Sequence, residues 1–267
     1  MTFPPPNPIM KSLLLCPLFV LSLSLPAVSI PAQTVRPLDE AQTALQGGDL
    51  TKAESLLAPL TGAEAKDAAA FFVLGQLRER QRSLKDAVAA YEQAAALDPT
   101  KPEYFSALGI AFSQRMGELN FMQQAMTAGK MRKAFEKSVA LDARHVAGLI
   151  GLARYYTNAP EIAGGSLEKA KEFAGRVRDL SPFLGETELG NIAEKGEDFP
   201  AALAHFETAS RLKPDHAGLQ VSCGRMLAKL SRKEEARARF EGALKLNPGL
   251  ERAKQELAAL DGPAAAP

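Results

Sequence analysis

The chain of 267 residues contains no tryptophan, four tyrosines, three histidines and two cysteines. Each shortage narrows what the protein can do. His145, His205 and His216 form no pair with the spacing of a metal site, and no histidine accompanies a cysteine as a nucleophile and its base would require. Cys16 lies in an N-terminal apolar run, so a chain processed there keeps Cys223 alone and forms no intramolecular disulfide. The sequence has neither a phosphate-binding glycine loop nor a serine-nucleophile elbow. Segments of alternating valine and isoleucine, the mark of half-buried strands, are also missing. Charge of one sign is not in excess either, at 32 lysines and arginines against 31 aspartates and glutamates. That balance argues against a general nucleic-acid binder and leaves any charged recognition to local patches. The expectation is a protein that is not an enzyme and has no cofactor and no metal site.

What the chain has is alanine, helical periodicity and a repeat. Leu189 and Gly190 are followed by Ala202, Phe206, Ala209 and Pro214; after 34 residues come Cys223 and Gly224, then Ala236, Phe240, Ala243 and Pro248. Small residues at Gly190 and Ala202 allow two antiparallel helices to approach, with Phe206 filling the space beside them. Pro214 and Pro248 cannot continue a helix and restrict the residue before them, so each marks an exit from a second helix. At its landmark Cys223 reads as a small buried hydrophobe.

This pattern resembles the tetratricopeptide repeat, a helix-turn-helix unit with an apolar residue before a glycine, then A-x3-F, then a closing proline. The resemblance implies an all-α solenoid of antiparallel helix pairs with a C-terminal capping helix. Six units follow: 34–67, 68–101, 102–145, 146–182, 183–216 and 217–250, with the cap at 251–260 and a frayed tail at 261–267. The first is degenerate, with Ala41 at the small position and Thr51 to Glu54 spaced as a capping box. The second is clearest: Leu74-Gly75, Ala87, Tyr91, Ala94 and Pro99 all fall on the pattern.

The third unit carries extra residues, because Phe135 arrives 10 residues late. Its segment 116–129 must lengthen the helices or the turn. Met116, Met122, Met126 and Met131 there read as flexible core filling, the alternative being an adaptable ligand-facing surface. The fourth unit has a long turn, Asn158 to Ser166, whose Gly164, Gly165 and Ser166 read as turn and capping residues in preference to an anion site. An A-P-x-I-A-G-G-S turn in this setting resembles one in exported bacterial proteins of the same repeat family. Ser231 to Glu234 is spaced as a second capping box.

Residues 1–33 stand apart. Lys11 precedes the apolar run Ser12 to Leu25, and small residues follow, the three parts of a secretory signal peptide. Cleavage is expected after Ser29 or Ala32, with Met10 as an alternative start. The run is short for a membrane span and is interrupted by Pro17 and Pro26. Cys16 lies too early in it, behind a bulky Leu15, for lipidation. The mature protein is therefore expected in the periplasm or outside the cell, without a membrane span and with formal charge zero.

In proteins of this repeat family the first helices line a concave groove. Carrying over the position after the small landmark gives Gln76, Ile110, Arg154, Asn191 and Arg225; one turn later come Arg80, Gln114, Asn158, Lys195 and Lys229. Units four to six thus offer Arg154, Asn158, Asn191, Lys195, Arg225 and Lys229 as a stripe. It resembles the carboxylate clamp by which some such domains hold acidic peptide ends. The first basic position of that clamp departs from the pattern, being Ile150, Thr187 and Val221. The implied function is a scaffold or adaptor that binds a protein or peptide partner, with an acidic chain end as a candidate ligand. Loss of Arg154 and Arg225 together should abolish partner capture without lowering thermal stability. The contrasting reading is a self-assembling envelope module whose solenoid ends stack.

Overall fold

A computed structural model describes residues 36–261. The signal-peptide expectations and the tail beyond residue 261 lie outside the described residues. Thirteen α-helices and no strand occur among those residues. They run α1 Pro37–Gln46, α2 Leu50–Leu57, α3 Ala68–Arg80, α4 Leu84–Leu97, α5 Pro102–Arg115, α6 Phe121–Leu141 and α7 Val146–Asn158. Then come α8 Leu167–Leu180, α9 Pro182–Lys195, α10 Phe199–Leu212, α11 Ala217–Lys229, α12 Lys233–Leu246 and α13 Glu251–Asp261. Each odd helix packs on the even helix after it, and α13 covers α12.

One contact explains the repeat. An added Cβ on Gly75 would lie 2.4 Å from the ring of Tyr91, and on Gly224 2.4 Å from the ring of Phe240. Gly109 stands in the same relation to Phe135, and Gly190 to Phe206. The aromatic ring of each second helix thus lies directly on the glycine of the first, which is why both recur together. Where the glycine is missing, the ring is missing too: Ala153 and Ala174 occupy the two positions in the fourth unit, and Ala41 and Leu57 in the first. All four are fully buried. In the first unit Ala41 and Leu57 together fill about the volume of a glycine and a ring, whereas the two alanines of the fourth unit fill less.

Caps set the helix boundaries. Asp49, Asp67 and Asp198 each accept backbone N–H bonds at the start of a second or first helix. The capping box expected at Thr51 does not form, because Asp49 caps α2 through Lys52 N at 3.0 Å. Glu54 instead accepts from Arg78 at 2.8 Å and Gln81 at 3.0 Å, tying the first unit to the second. These bonds hold its carboxyl below the usual range. Nor does Ser231 cap α12. It takes the left-handed conformation at φ 61°, and Arg232 precedes the helix.

The junction between the fourth and fifth units departs from the simple repeat. Pro182, expected to close the fourth unit, is the first residue of α9, where a missing N–H costs nothing. Ser181 alone separates α8 from α9, and a Cβ on Gly185 would fall 2.2 Å from the backbone of Arg178. Only glycine permits so tight a corner.

The third unit absorbs its extra residues as a 3-10 turn, Met116–Glu118, and a 21-residue second helix. Asn120 and Gln123 form a reciprocal capping box, and Gln124 donates to Met116 O and Leu119 O. The reading of this segment as core filling is corrected for two of its methionines. Met131 of α6 packs against the core around Phe135 and Leu152, but Met122 is 70% and Met126 66% exposed, beside Phe121 at 86%. The added turns carry these side chains beyond the neighbouring helices, so no core reaches them.

Candidate peptide groove on the first helices of units four to six

The side chain that organises the groove is Glu188, on the inner part of α9. It is 4% exposed, and Arg154 of α7 spans both its oxygens: Nε at 3.0 and 3.2 Å, a terminal nitrogen at 2.5 Å. A carboxylate so far from water needs this bidentate partner. The guanidinium is 63% exposed, so it caps the buried acid while facing solvent. The hydrogen bonds to Glu188 raise its pKa further above the ordinary arginine value.

One unit on, Arg225 of α11 donates to Glu194 of α9, and its Nε lies 3.4 Å from Glu256 of the capping helix. Both arginines of the expected clamp therefore hold carboxylates of the chain itself. They fasten α7 to α9, α9 to α11, and α11 to α13.

Around these pairs opens a cavity of about 630 Å³, and all six residues drawn from the repeat register line it: Arg154, Asn158, Asn191, Lys195, Arg225 and Lys229. Thr157, Glu188, Glu194, Glu197 and Phe199 complete the wall. Glu194 is the acid the sequence offers as a partner for a merely solvated face; the buried Glu188 is what the register did not foresee. The acids make the groove mixed in charge, with four cations against three carboxylates. Glu188 stands two residues before the small landmark, inside a helix whose buried positions are otherwise small or apolar, a signal available only as an oddity.

The lining residues differ in what they have left to offer. Asn158 donates its amide to Arg154 O at 2.8 Å, which leaves its oxygen as an acceptor. Lys229 lies over the ring of Phe199, Nζ 5.9 Å from its centre. Neither Lys195 nor Lys229 makes an ion pair with a described residue, and Asn191 is exposed with its amide uncommitted. The free cations of the groove are lysines.

The N-terminal positions of the same register do not join this cavity. Arg80 donates to Leu45 O at 2.8 Å, and Ile110 stands 39% exposed on α5. Glu79, beside them, is half-buried and accepts from the Tyr91 hydroxyl at 2.8 Å. Burial raises its carboxyl above the usual range, against the opposing effect of that bond.

The long turn at 158–166 keeps its backbone donors for itself. The N–H groups of Gly164, Gly165 and Ser166 bond to Glu161 O, Pro160 O and Tyr156 O. Gly164 has φ +87°, and a Cβ on Gly165 would meet Ala159 O at 1.8 Å. Ser166 caps α8 through Lys169 N, and Tyr155 donates to Ala163 O at 2.6 Å. The glycines are there for chain geometry. Among the described residues no group of histidine, cysteine and acidic side chains is placed to hold a metal, and no helix is long and apolar enough to cross a membrane.

Comparison with known proteins agrees with this architecture. The tetratricopeptide repeat model matches residues 38–102 and 187–251. The peroxisomal targeting signal receptor of Eremothecium gossypii is 25% identical over 203 residues, which is 68% of this chain and 36% of that protein. The chain thus spans about a third of that relative's length. Among solved structures, PilW, a type IV pilus biogenesis factor, superposes with a TM-score of 0.68 at 14% identity, covering 83% of this chain and 96% of PilW. The Cut9–Hcn1 hetero-tetramer of APC/C gives 0.65 at 14%, covering 84% of this chain and 42% of that one. TTC0263 of Thermus thermophilus gives 0.59 at 18%, covering 73% and 98%. At these identities the solved structures speak to the fold alone. With its matching repeats, glycine-on-ring packing and ordered helix pairs, the chain is an all-α tetratricopeptide-repeat solenoid.

Proposed function

We propose that this protein is an exported scaffold or adaptor that holds an acidic segment of a partner protein in the groove of units four to six. The observation that carries the reading is the placement of Lys195 and Lys229 one unit apart, uncommitted, in a cavity whose arginines are already paired. Adjacent first helices lie about 10 Å apart, the span of about three residues of extended chain. Two acidic side chains at that separation would each meet a lysine, with Asn191, one turn before Lys195 on α9, free to bond the peptide backbone. Phe199 offers an apolar wall beside Lys229. Export rests on the N-terminal pattern of Lys11, an apolar run and small residues.

This assignment moves recognition from arginine to lysine. Arg154 and Arg225 hold the groove's shape, so removing them tests stability and binding at once. The separating experiment is capture from the exported fraction of the native host, followed by mass spectrometry, with wild type beside a Lys195→Ala/Lys229→Ala variant. A partner captured by wild type alone, with both proteins melting alike, supports the groove. Equal capture by both would remove it, and a protein found only in the cytoplasmic fraction would remove the export half of the reading.

A further inference from the structure

Outside the groove, one surface is built in a way the solenoid does not require. The first turns of α6 hold Phe121, Met122 and Met126 in solvent, and Ile162 of the 3-10 turn Glu161–Ala163, which packs against α6, is 99% exposed. Fraying does not explain the exposure, since the Asn120–Gln123 capping box and the two bonds from Gln124 secure this end of the helix. Side chains of this size, each about 150–250 Å², amount at these exposures to roughly 600 Å² of apolar surface. That is the upper end of what a monomer carries as its largest patch.

The outward face of α6 reads Met122, Ala125, Met126, Gly129, Lys133 at helical spacing, large residues alternating with small. A Cβ on Gly129 would meet nothing within 4 Å, so the space there is open. Charge is distributed along the axis. Exposed Lys130 and Lys133 follow the apolar turns, and Glu118, 51% exposed, precedes them.

We infer that this face of α6 binds the same face of a second copy of the chain, the two helices antiparallel and crossing near Met126. With Phe121 beside this face and Ile162 of the neighbouring 3-10 turn included, two copies bury about 1,200 Å², the lower edge of a specific interface. At 1.5 Å per residue, an antiparallel crossing at Met126 keeps the two Lys133 side chains about 20 Å apart along the axis and brings Lys133 of each copy toward the start of the other's α6, which Glu118 of the preceding 3-10 turn flanks, 3.9 Å from Arg115. A parallel pair would set lysine against lysine. The arrangement is thus self-complementary in one orientation, as a two-fold interface must be, and it is independent of the groove.

Sedimentation velocity of the purified protein across a micromolar concentration series reads the outcome. Wild type is expected to double in mass as concentration rises, and Met126→Lys to remain monomeric with an unchanged melting temperature. Lys133→Glu should weaken dimerisation about tenfold, and adding Glu118→Lys to it should restore wild-type association. Met126→Cys should form a disulfide-linked dimer on mild oxidation, whereas Lys85→Cys should not, a comparison that holds if the lysine variant folds poorly. A wild type that is monomeric throughout overturns the inference. So does a dimer indifferent to Met126→Lys and Lys133→Glu, or a monomer that instead binds phosphatidylglycerol vesicles through Met126.

Discussion

The fifth and sixth units and the third unit solve the same packing problem with different lengths of chain. In α9–α10 and α11–α12, helices of 13 or 14 residues bury their apolar landmarks, and glycine takes the ring of the partner helix. The third unit keeps that contact at Gly109 and Phe135, then adds two turns to α6 whose apolar side chains find no core. The repeat register describes only the part of a helix that touches its pair. Length beyond it is free to serve something else.

The sharpest way to break this comparison is to cut equivalent apolar side chains from each region. Phe240→Ala, in the fully buried core, should cost about 3–5 kcal/mol, read by chemical denaturation. Met126→Ala, made in dilute protein, should fall within about 0.5 kcal/mol of wild type, as surface changes do. Equal losses would mean that the exposed end of α6 is packed. Next in size is the glycine contact. Gly224→Ala drives a methyl group into the Phe240 ring and should cost about 1–3 kcal/mol, whereas Gly129→Ala, in open space on α6, should stabilise slightly through helix propensity.

The groove adds a third comparison. Arg154→Ala strands a carboxylate that is 4% exposed and should lower stability by about 1–3 kcal/mol, while Lys229→Ala should leave it nearly unchanged. This reverses the expectation that the arginines could be removed without thermal cost, because register does not reveal a buried acid beneath one of them. Smallest in energy is Cys223. Burial raises its thiol to about 11, so alkylation at pH 8 should be negligible in the folded protein and rapid after denaturation; fast native labelling would mean that the sixth unit opens readily.

Much of the fold was legible because each landmark is a local size constraint. Leu189-Gly190, Ala202 and Phe206 declare a close helix pair without reference to the rest of the chain, and the same logic located five further pairs. Helix starts were less legible. Asp49 and Arg232 precede helices where Thr51 and Ser231 had the spacing of capping boxes, since the chain can cap two residues earlier or forgo a side-chain cap. The tight corner at Gly185 was missed for a related reason: nothing near it in sequence shows that Arg178 backbone will lie beneath it.

For the groove, position and chemistry separated. The helical register alone brought Arg154, Asn158, Asn191, Lys195, Arg225 and Lys229 to one wall, because residues 34 to 37 apart in stacked units face the same way. Which of those side chains remain available was decided by Glu188 and Glu194 of α9 and Glu256 of α13, which reach Arg154 and Arg225 on neighbouring first helices. Sequence by itself determined the helix pairs, their order and the stripe, all set by short-range spacing and side-chain volume. Tertiary structure alone decided which cations are spent on internal acids and which methionines have no core, since both depend on neighbours that only the stacked solenoid supplies.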